Sequence, residues 1–448
     1  MRKFLLLFLS LIFSLCLSAQ TKLSLDEAVS IALQRNPALI KSKNNIESYK
    51  SSLRSAYGDL IPSLGANGSW NWSKTTDAGG TQTDYFGNIV QIPASEYDSR
   101  SYSLSAGGGV TLFDGLSNWA NISQKDNQLE SAKYSLEKLK QDIVLQTTDL
   151  FYSALNEAEL LKVRQDNLQY NQKLFETIQE RNRLGAVALA DVYAQQVQLG
   201  NAQLLLIQQQ NVFENAKSSL LNYLALDVLE EYDFVNPLPA DKIIETSSYM
   251  QGFGDIQDMV NQAFINRLDY KSQNLNYESS LNGITIARGG IFPSLTGSYG
   301  FSTSATRPSD LFDRKVWSFG LNLRLPIFSN FNTDNAIQFA EVQAQNTKED
   351  LSALERQIKI EVKQGYLDLV AAQKGLEVSQ ENVKSAEENR RVNNERYSLG
   401  SGTILDVLQS DRDYTQAQQD NINAKFLFYR LRDRLLNYLG KLEYNKFE

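Results

Sequence analysis

Glu180-Arg181-Asn182-Arg183-Leu184-Gly185 returns 215 residues later as Glu395-Arg396-Tyr397-Ser398-Leu399-Gly400. The same displacement carries Asp191-Val192 onto Asp406-Val407, Ala202-Gln203 onto Ala417-Gln418, Asn222-Tyr223-Leu224 onto Asn437-Tyr438-Leu439, and Phe113 onto Phe328. Toward the N-terminus, Ile61-Pro62-Ser63-Leu64 matches Phe292-Pro293-Ser294-Leu295 at a displacement of 231, which leaves 16 extra residues in the first copy between Pro62 and Phe113. That interval holds the Gly/Thr/Tyr-rich stretch Thr75 to Arg100, which reads as a longer loop. The chain is therefore two copies of one unit, 20–226 and 255–440, joined by 227–254 and followed by a tail, 441–448. Two copies of this length point to a pseudo-symmetric pair of large hairpins rather than a solenoid.

Each copy reads as helix, strand, strand, long helix, helix. In the first, Leu25 to Leu60 has helical spacing behind Ser24, an N-cap with Glu27 three residues on, and Pro62 is expected to end the helix. The period then changes to two. Leu64, Ala66, Gly68, Trp70 and Trp72 alternate with Ser and Asn, and Tyr102, Leu104, Ala106, Gly108, Val110 and Leu112 with Ser, Gly and Thr. Trp317, Phe319, Leu321, Leu323, Leu325 and Ile327 repeat the pattern, with Leu295, Gly297, Tyr299 and Phe301 as a weaker strand. The spacing predicts strands over about 62–73, 101–113, 293–303 and 316–327.

Strands of roughly ten to twelve residues, at about 3.3 Å each and tilted about 40°, cross an apolar band of roughly 25 Å. Strands of a soluble sandwich run about 5–6 residues. An aromatic-aliphatic face opposite a Ser/Asn/Gly face fits lipid on one side and water on the other. Four such strands cannot close a barrel, and an open edge in lipid leaves backbone groups unpaired. Membrane-spanning strands therefore require several chains in one barrel.

The remainder is helix. Leu129, Leu136, Ile143 and Leu150 recur every seven residues, as do Leu161, Leu168 and Phe175; Leu199, Leu206, Phe213 and Leu220; and Leu369, Leu376 and Val383. A sustained seven-residue period predicts left-handed coiled-coil packing. A helix from Trp119 to Arg183 would reach roughly 95 Å at about 1.5 Å per residue. The polar faces are rich in Gln, Asn, Asp and Ser, which suits either plain solvation or the lining of a wet channel.

Composition sets the class. Arg2 and Lys3, the apolar run Phe4 to Leu17 and Ser18-Ala19-Gln20 form a secretory leader, 1–19, expected to be cut after Ala19. Lipidation at Cys16 is disfavoured by Leu15 before it, and no other cysteine exists. No later apolar run is long enough for a membrane helix. A formal charge of -8 argues against nucleic acid as a partner. There is no histidine, no metal-ligand cluster and no Gly-rich nucleotide loop, so neither an enzyme nor a cofactor is expected. With three methionines and no histidine, dedicated export of soft metals is disfavoured.

The two tips, Arg181-x-x-Leu184-Gly185-x5-Asp191-Val192 and Arg396-x-x-Leu399-Gly400-x5-Asp406-Val407, the Pro62 and Pro293 corners between helix and strand, and the two-copy plan resemble the TolC family of outer-membrane factors. The resemblance covers nearly the whole chain after the leader. It implies an α+β membrane protein: a homotrimer with a twelve-stranded barrel, four transmembrane strands per chain, and coiled-coil helices forming a periplasmic α-barrel. It implies docking of a periplasmic adaptor protein, itself joined to an inner-membrane pump, at Arg181, Leu184 and Gly185 and at Arg396, Leu399 and Gly400. It places Tyr397, Asp406 and Gln409, with Asp191 of the first copy, at a closed periplasmic aperture. Gly402 stands where some members carry a basic residue that latches the aperture.

Local physics allows plainer roles for the same residues. Gly185 and Gly400 serve equally as helix C-caps, and Asp191 and Asp406 as carboxylates near a helix N-terminus. Under threefold symmetry, each Asp instead becomes a ring that favours cations. The expected function is the exit duct of a tripartite efflux or type I secretion system. The competing reading is a non-conducting envelope scaffold or adhesin stalk, which explains the heptads and leader but not four membrane-length strands.

Overall fold

The computed structural model describes residues 21–236 and 253–444. The expected leader, 1–19, most of the segment between the copies and the last residues of the tail lie outside the described residues.

Copy one opens with the short strand β1 (Thr21–Leu23) and helix α1 (Leu25–Arg35), where Ser24 and Glu27 form the expected capping box. The single helix expected to Leu60 is two, because α2 (Pro37–Gly58) begins after an extended Asn36 (ψ 120°). A proline ring excludes the α region from the residue before it, which accounts for the break. Helix α2 ends at Gly58, so Pro62 shapes the turn into the strand instead of terminating the helix.

Next come β2 (Gly65–Asp77), β3 (Gly80–Thr83), β4 (Ile89–Ile92) and β5 (Ser95–Phe113). The stretch read as a loop is thus largely strand, with β3 and β4 forming a hairpin of their own. Its turn is made by the Asp84 carboxylate, which accepts from the Phe86 and Asn88 amides, and by Gly87 at φ +83°. Helices α3 (Ser117–Arg183) and α4 (Leu189–Tyr223) follow, then β6 (Tyr232–Phe234).

Copy two contains α5 (Ile256–Asn266), α6 (Leu268–Gly289), β7 (Ser294–Ala305), β8 (Val316–Arg324), α7 (Asn332–Ser398) and α8 (Ile404–Tyr438). Corresponding helices have identical lengths: 11 residues in α1 and α5, 22 in α2 and α6, 67 in α3 and α7, and 35 in α4 and α8. Strand β8 stops before Leu325 and Ile327, because Pro326 has no amide to give a ladder.

Two compact units are present, one of them formed by residues 45–133 and 272–352. It holds a four-stranded antiparallel sheet in the order β2-β5-β7-β8. Register rows such as Gly65-Gly107-Gly300-Ser318 lie on one face, while Tyr299 pairs with Phe319 and Phe301 with Trp317 on the other. Trp317, Phe319, Leu321 and Leu323 are all more than two-thirds exposed. The corner after Pro62 presses on β5: a Cβ on Gly108 would stand 1.6 Å from the Ser63 carbonyl oxygen, which also accepts from the Tyr299 hydroxyl at 2.5 Å. Strands β2 and β8 are edges with no further partner among the described residues.

The second unit is mainly helical. Its core buries Ile143, Phe151, Leu220, Leu369, Leu376 and Phe428, so the seven-residue rows of the sequence supply core positions. Strand β1 pairs in parallel with β6, whose Phe234 meets Phe151 and Phe213 edge-on. Arg430 grips Asp149 through two hydrogen bonds of 2.5 and 2.9 Å. No helix among the described residues is long and apolar enough to cross a membrane.

Candidate functional site

Both long helices end in the same way. Gly185 and Gly400 take φ +72° and +76°, a conformation that side chains with a Cβ rarely adopt. The Ala186 amide donates to the Arg181 carbonyl at 2.8 Å and the Ser401 amide to the Arg396 carbonyl at 2.9 Å, each closing a Schellman motif. Leu184 and Leu399 project outward beside these glycines, 68% and 82% exposed. A Cβ on Gly402 would meet Arg396 and Tyr397 at 3.1 Å, so the position expected to lack a charged latch is also closely packed.

The next helices begin differently in the two copies. In α8, Thr403 is the N-cap: its amide and hydroxyl donate to the Asp406 carboxylate at 3.1 and 2.8 Å, and the Asp406 amide donates back to its hydroxyl. These bonds lower the pKa of Asp406. In α4, the N-cap is Ala188, whose methyl group makes no capping hydrogen bond. Asp191 instead accepts from the Tyr397 hydroxyl at 3.3 Å, across 206 residues of sequence. Two of the four expected aperture residues are thereby brought into contact.

Tyr397 is only 8% exposed, and its ring is also approached by the Arg181 guanidinium at 5.5 Å. Arg181 donates to the Ser398 carbonyl at 2.7 Å, so one member of the expected docking set ties the two tips together. Burial first, and the Asp191 carboxylate second, push the Tyr397 hydroxyl up to about 12. It stays a neutral donor under all physiological conditions. Ile178, Val192, Ile404, Val407 and Leu408 pack around it in one apolar cluster. Gln409 stays on the exposed side of α8, donating to Asp413 and accepting from Arg412.

Above this cluster lies a polar layer that the sequence reading missed. Asp411, 1% exposed, accepts from Asn167 and Asn171 of α3 at 3.0 and 3.2 Å and from Arg390 of α7 at 3.4 Å. Gln195 of α4 joins by donating to the carbonyl and side-chain oxygens of Asn171. Arg390 is held between the rings of Tyr170 and Tyr414, 5.0 and 3.8 Å from their centroids. Burial raises the pKa of Asp411. The signal was present in the spacing: Asp411 and Thr415 continue the buried row begun by Ile404 and Leu408.

Among the described residues, no group of three or more His, Cys, Asp or Glu side chains is arranged to hold a metal. What these residues do is fasten helices to each other at a tip.

The model of the family described as "Outer membrane efflux protein" matches residues 28–226 and 259–441. Outer membrane protein TolC of Escherichia coli (strain K12) is 22% identical over 461 residues, spanning 97% of this chain and 86% of that protein. Protein CyaE of Bordetella pertussis is 22% identical over 413 residues, spanning 89% and 80%. The crystal structure of the outer membrane protein VceC from Vibrio cholerae shares the fold at a TM-score of 0.78 and 17% identity, with 94% of this chain and 97% of that one covered. With its two repeats of long helices and its four-stranded antiparallel sheet, the chain belongs to the outer membrane efflux protein family and is a non-enzymatic, TolC-like channel of the outer membrane.

Proposed function

We propose that three copies of this chain close a single twelve-stranded barrel, and that their helical hairpins carry cargo outward from a periplasmic adaptor and an inner-membrane pump. The observation that carries this reading is the sheet. Its aromatic-aliphatic face is exposed in the single chain, and its edges β2 and β8 find no partner strand among the described residues. Exposed backbone edges are not tolerated in hydrocarbon, so each must find a neighbour. Pairing β2 of one copy with β8 of the next satisfies both edges at once and needs no other protein.

In this assembly the tips around Gly185 and Gly400 are the adaptor-docking ends, with Leu184 and Leu399 as apolar contacts and Arg181 and Arg396 beside them. Asp191, Tyr397, Asp406 and Gln409 form the closing region. The Tyr397 to Asp191 bond and the Asp411 layer hold the two hairpins of a chain together, where no charged residue stands at 402. Asp406, repeated three times about the axis, gives the aperture its cation preference.

The test is the mass of the purified protein in mild detergent, measured by light scattering with the detergent contribution subtracted. A stable trimer is expected. A detergent-independent monomer would remove the shared barrel and everything built on it.

A further inference from the structure

We infer that Arg324 forms a ring of three cations on the water-facing side of the barrel, a second charge-selective element that favours anionic solutes. The inference rests on the trimeric barrel proposed above and adds a specificity determinant to it.

The argument starts from register. Within the four-stranded region, the rows Asn67-Ser105-Ser302-Val316, Gly65-Gly107-Gly300-Ser318, Gly109-Ser298-Gly320 and Thr111-Thr296-Asn322 all lie on one face. None of these residues is charged. The next position on that face pairs Ser294 with Arg324. The opposite face carries Trp317, Phe319, Leu321 and Leu323, each more than two-thirds exposed. If those side chains meet lipid, alternation directs Arg324 to the lumen.

Arg324 is exposed, and no carboxylate among the described residues forms an ion pair with it. Its counterpart in the first copy, 215 residues earlier, is Gly109, so the cation comes from one repeat alone. A threefold axis makes three of them, near the point where β8 ends and the chain turns toward α7. Apart from Val316, these rows offer only hydroxyls, glycine backbone and amides, and in the neighbouring row the Ser69 and Ser103 hydroxyls bond at 2.7 Å. No residue of these rows carries a charge that would neutralise the ring. Screening decides its reach: the field extends about 30 Å at about 0.01 M salt but only about 3 Å at about 1 M.

The effect is read in planar bilayers, with purified trimer under a gradient of dilute potassium chloride. Arg324→Gln is expected to raise the potassium-to-chloride permeability ratio by about twofold in dilute salt, and to leave it unchanged in concentrated salt. Arg324→Glu is expected to move it further in the same direction. As a control on folding, Arg324→Cys is made in a Cys16→Ser background and then modified with an anionic or a cationic methanethiosulfonate, since Cys16 is the chain's own single cysteine. The two reagents are expected to shift selectivity in opposite senses. Conducting trimers whose permeability ratio ignores both the substitutions and the reagents would overturn the Arg324 ring while leaving the duct intact. A wild-type protein that forms no trimer and no pore would instead overturn the duct itself.

Discussion

Tyr397 and Asp191 come from different repeats, and a hydrogen bond joins these two of the four residues proposed for the aperture. A bond to a charged acceptor at a buried site contributes about 1.5–3 kcal/mol. Tyr397→Phe keeps the ring and its packing against Val192 and Ile404 and deletes only the donor. The expected outcome is a lower melting temperature and a larger single-channel conductance than wild type. The pH dependence has a definite sign. The native hydroxyl pKa, about 12, lies above the ordinary tyrosine value of about 10, so the native state favours the protonated form. Its contribution is fully present below about pH 10 and disappears as pH rises through about 12. The melting-temperature gap between wild type and Tyr397→Phe should therefore close over that interval; a gap that stays constant would mean that neither burial nor Asp191 holds the hydroxyl in its protonated form. Asp406 has the matching place in the second copy, yet its carboxylate is taken up by the Thr403 cap.

At the scale of elements, the chain achieves close approach by removing side chains. Gly108 lies beneath the Ser63 carbonyl, where a Cβ would overlap backbone that cannot retreat, since Ser63 is also held by its amide to Gly109. Gly108→Val is expected to prevent assembly of the barrel. In detergent extracts, a trimer yield reduced at least about tenfold is the predicted reading, in keeping with backbone clashes at close-packed sites. Undiminished trimer would show that the corner can swing away from β5. Gly58 and Gly289 end α2 and α6 at equivalent places, and the segments that follow reach the sheet through Pro62 and Pro293. The break between α5 and α6 has no proline. There Arg267 is extended (ψ 124°) and buried, paired with Asp269 and with Glu361 of α7. One repeat bends through proline geometry and the other through a buried ion pair.

For the whole molecule, the proposed assembly separates tasks between chain regions: edges β2 and β8 for association, tips for docking, and two sets of charges for selectivity. Leu399 is exposed and makes no part of the tip cluster, so changing it leaves the fold alone. Leu399→Asp, and Gly400→Trp as a bulkier alternative, are expected to leave trimer mass unchanged while abolishing capture of the periplasmic adaptor and export in cells. Gly400→Trp also strains a backbone at φ +76°, which makes Leu399→Asp the cleaner of the two. Export that persists in both variants would move the docking surface elsewhere on the hairpins.

The sequence by itself determined the repeat, the four alternating strands, the seven-residue rows and the two Leu-Gly tips. Each is a local periodicity or a matched pair of motifs, and periods of two and seven survive whatever packs against them. Through the family resemblance it also supplied the four residues proposed for the aperture, but not their relations. Only the tertiary structure decided that Asp191 rather than Asp406 meets Tyr397, that Asp411 is buried among Asn167, Asn171 and Arg390, and that Thr75 to Arg100 holds a hairpin between two extended strands. The partners of Asp191 and Asp411 lie as far as 206 and 244 residues away in the chain, and no spacing rule reaches that far. A carboxylate at a helix start looks the same in sequence whether it caps its own helix or receives a hydroxyl from another, and the choice is made by the side chain that packing delivers to it.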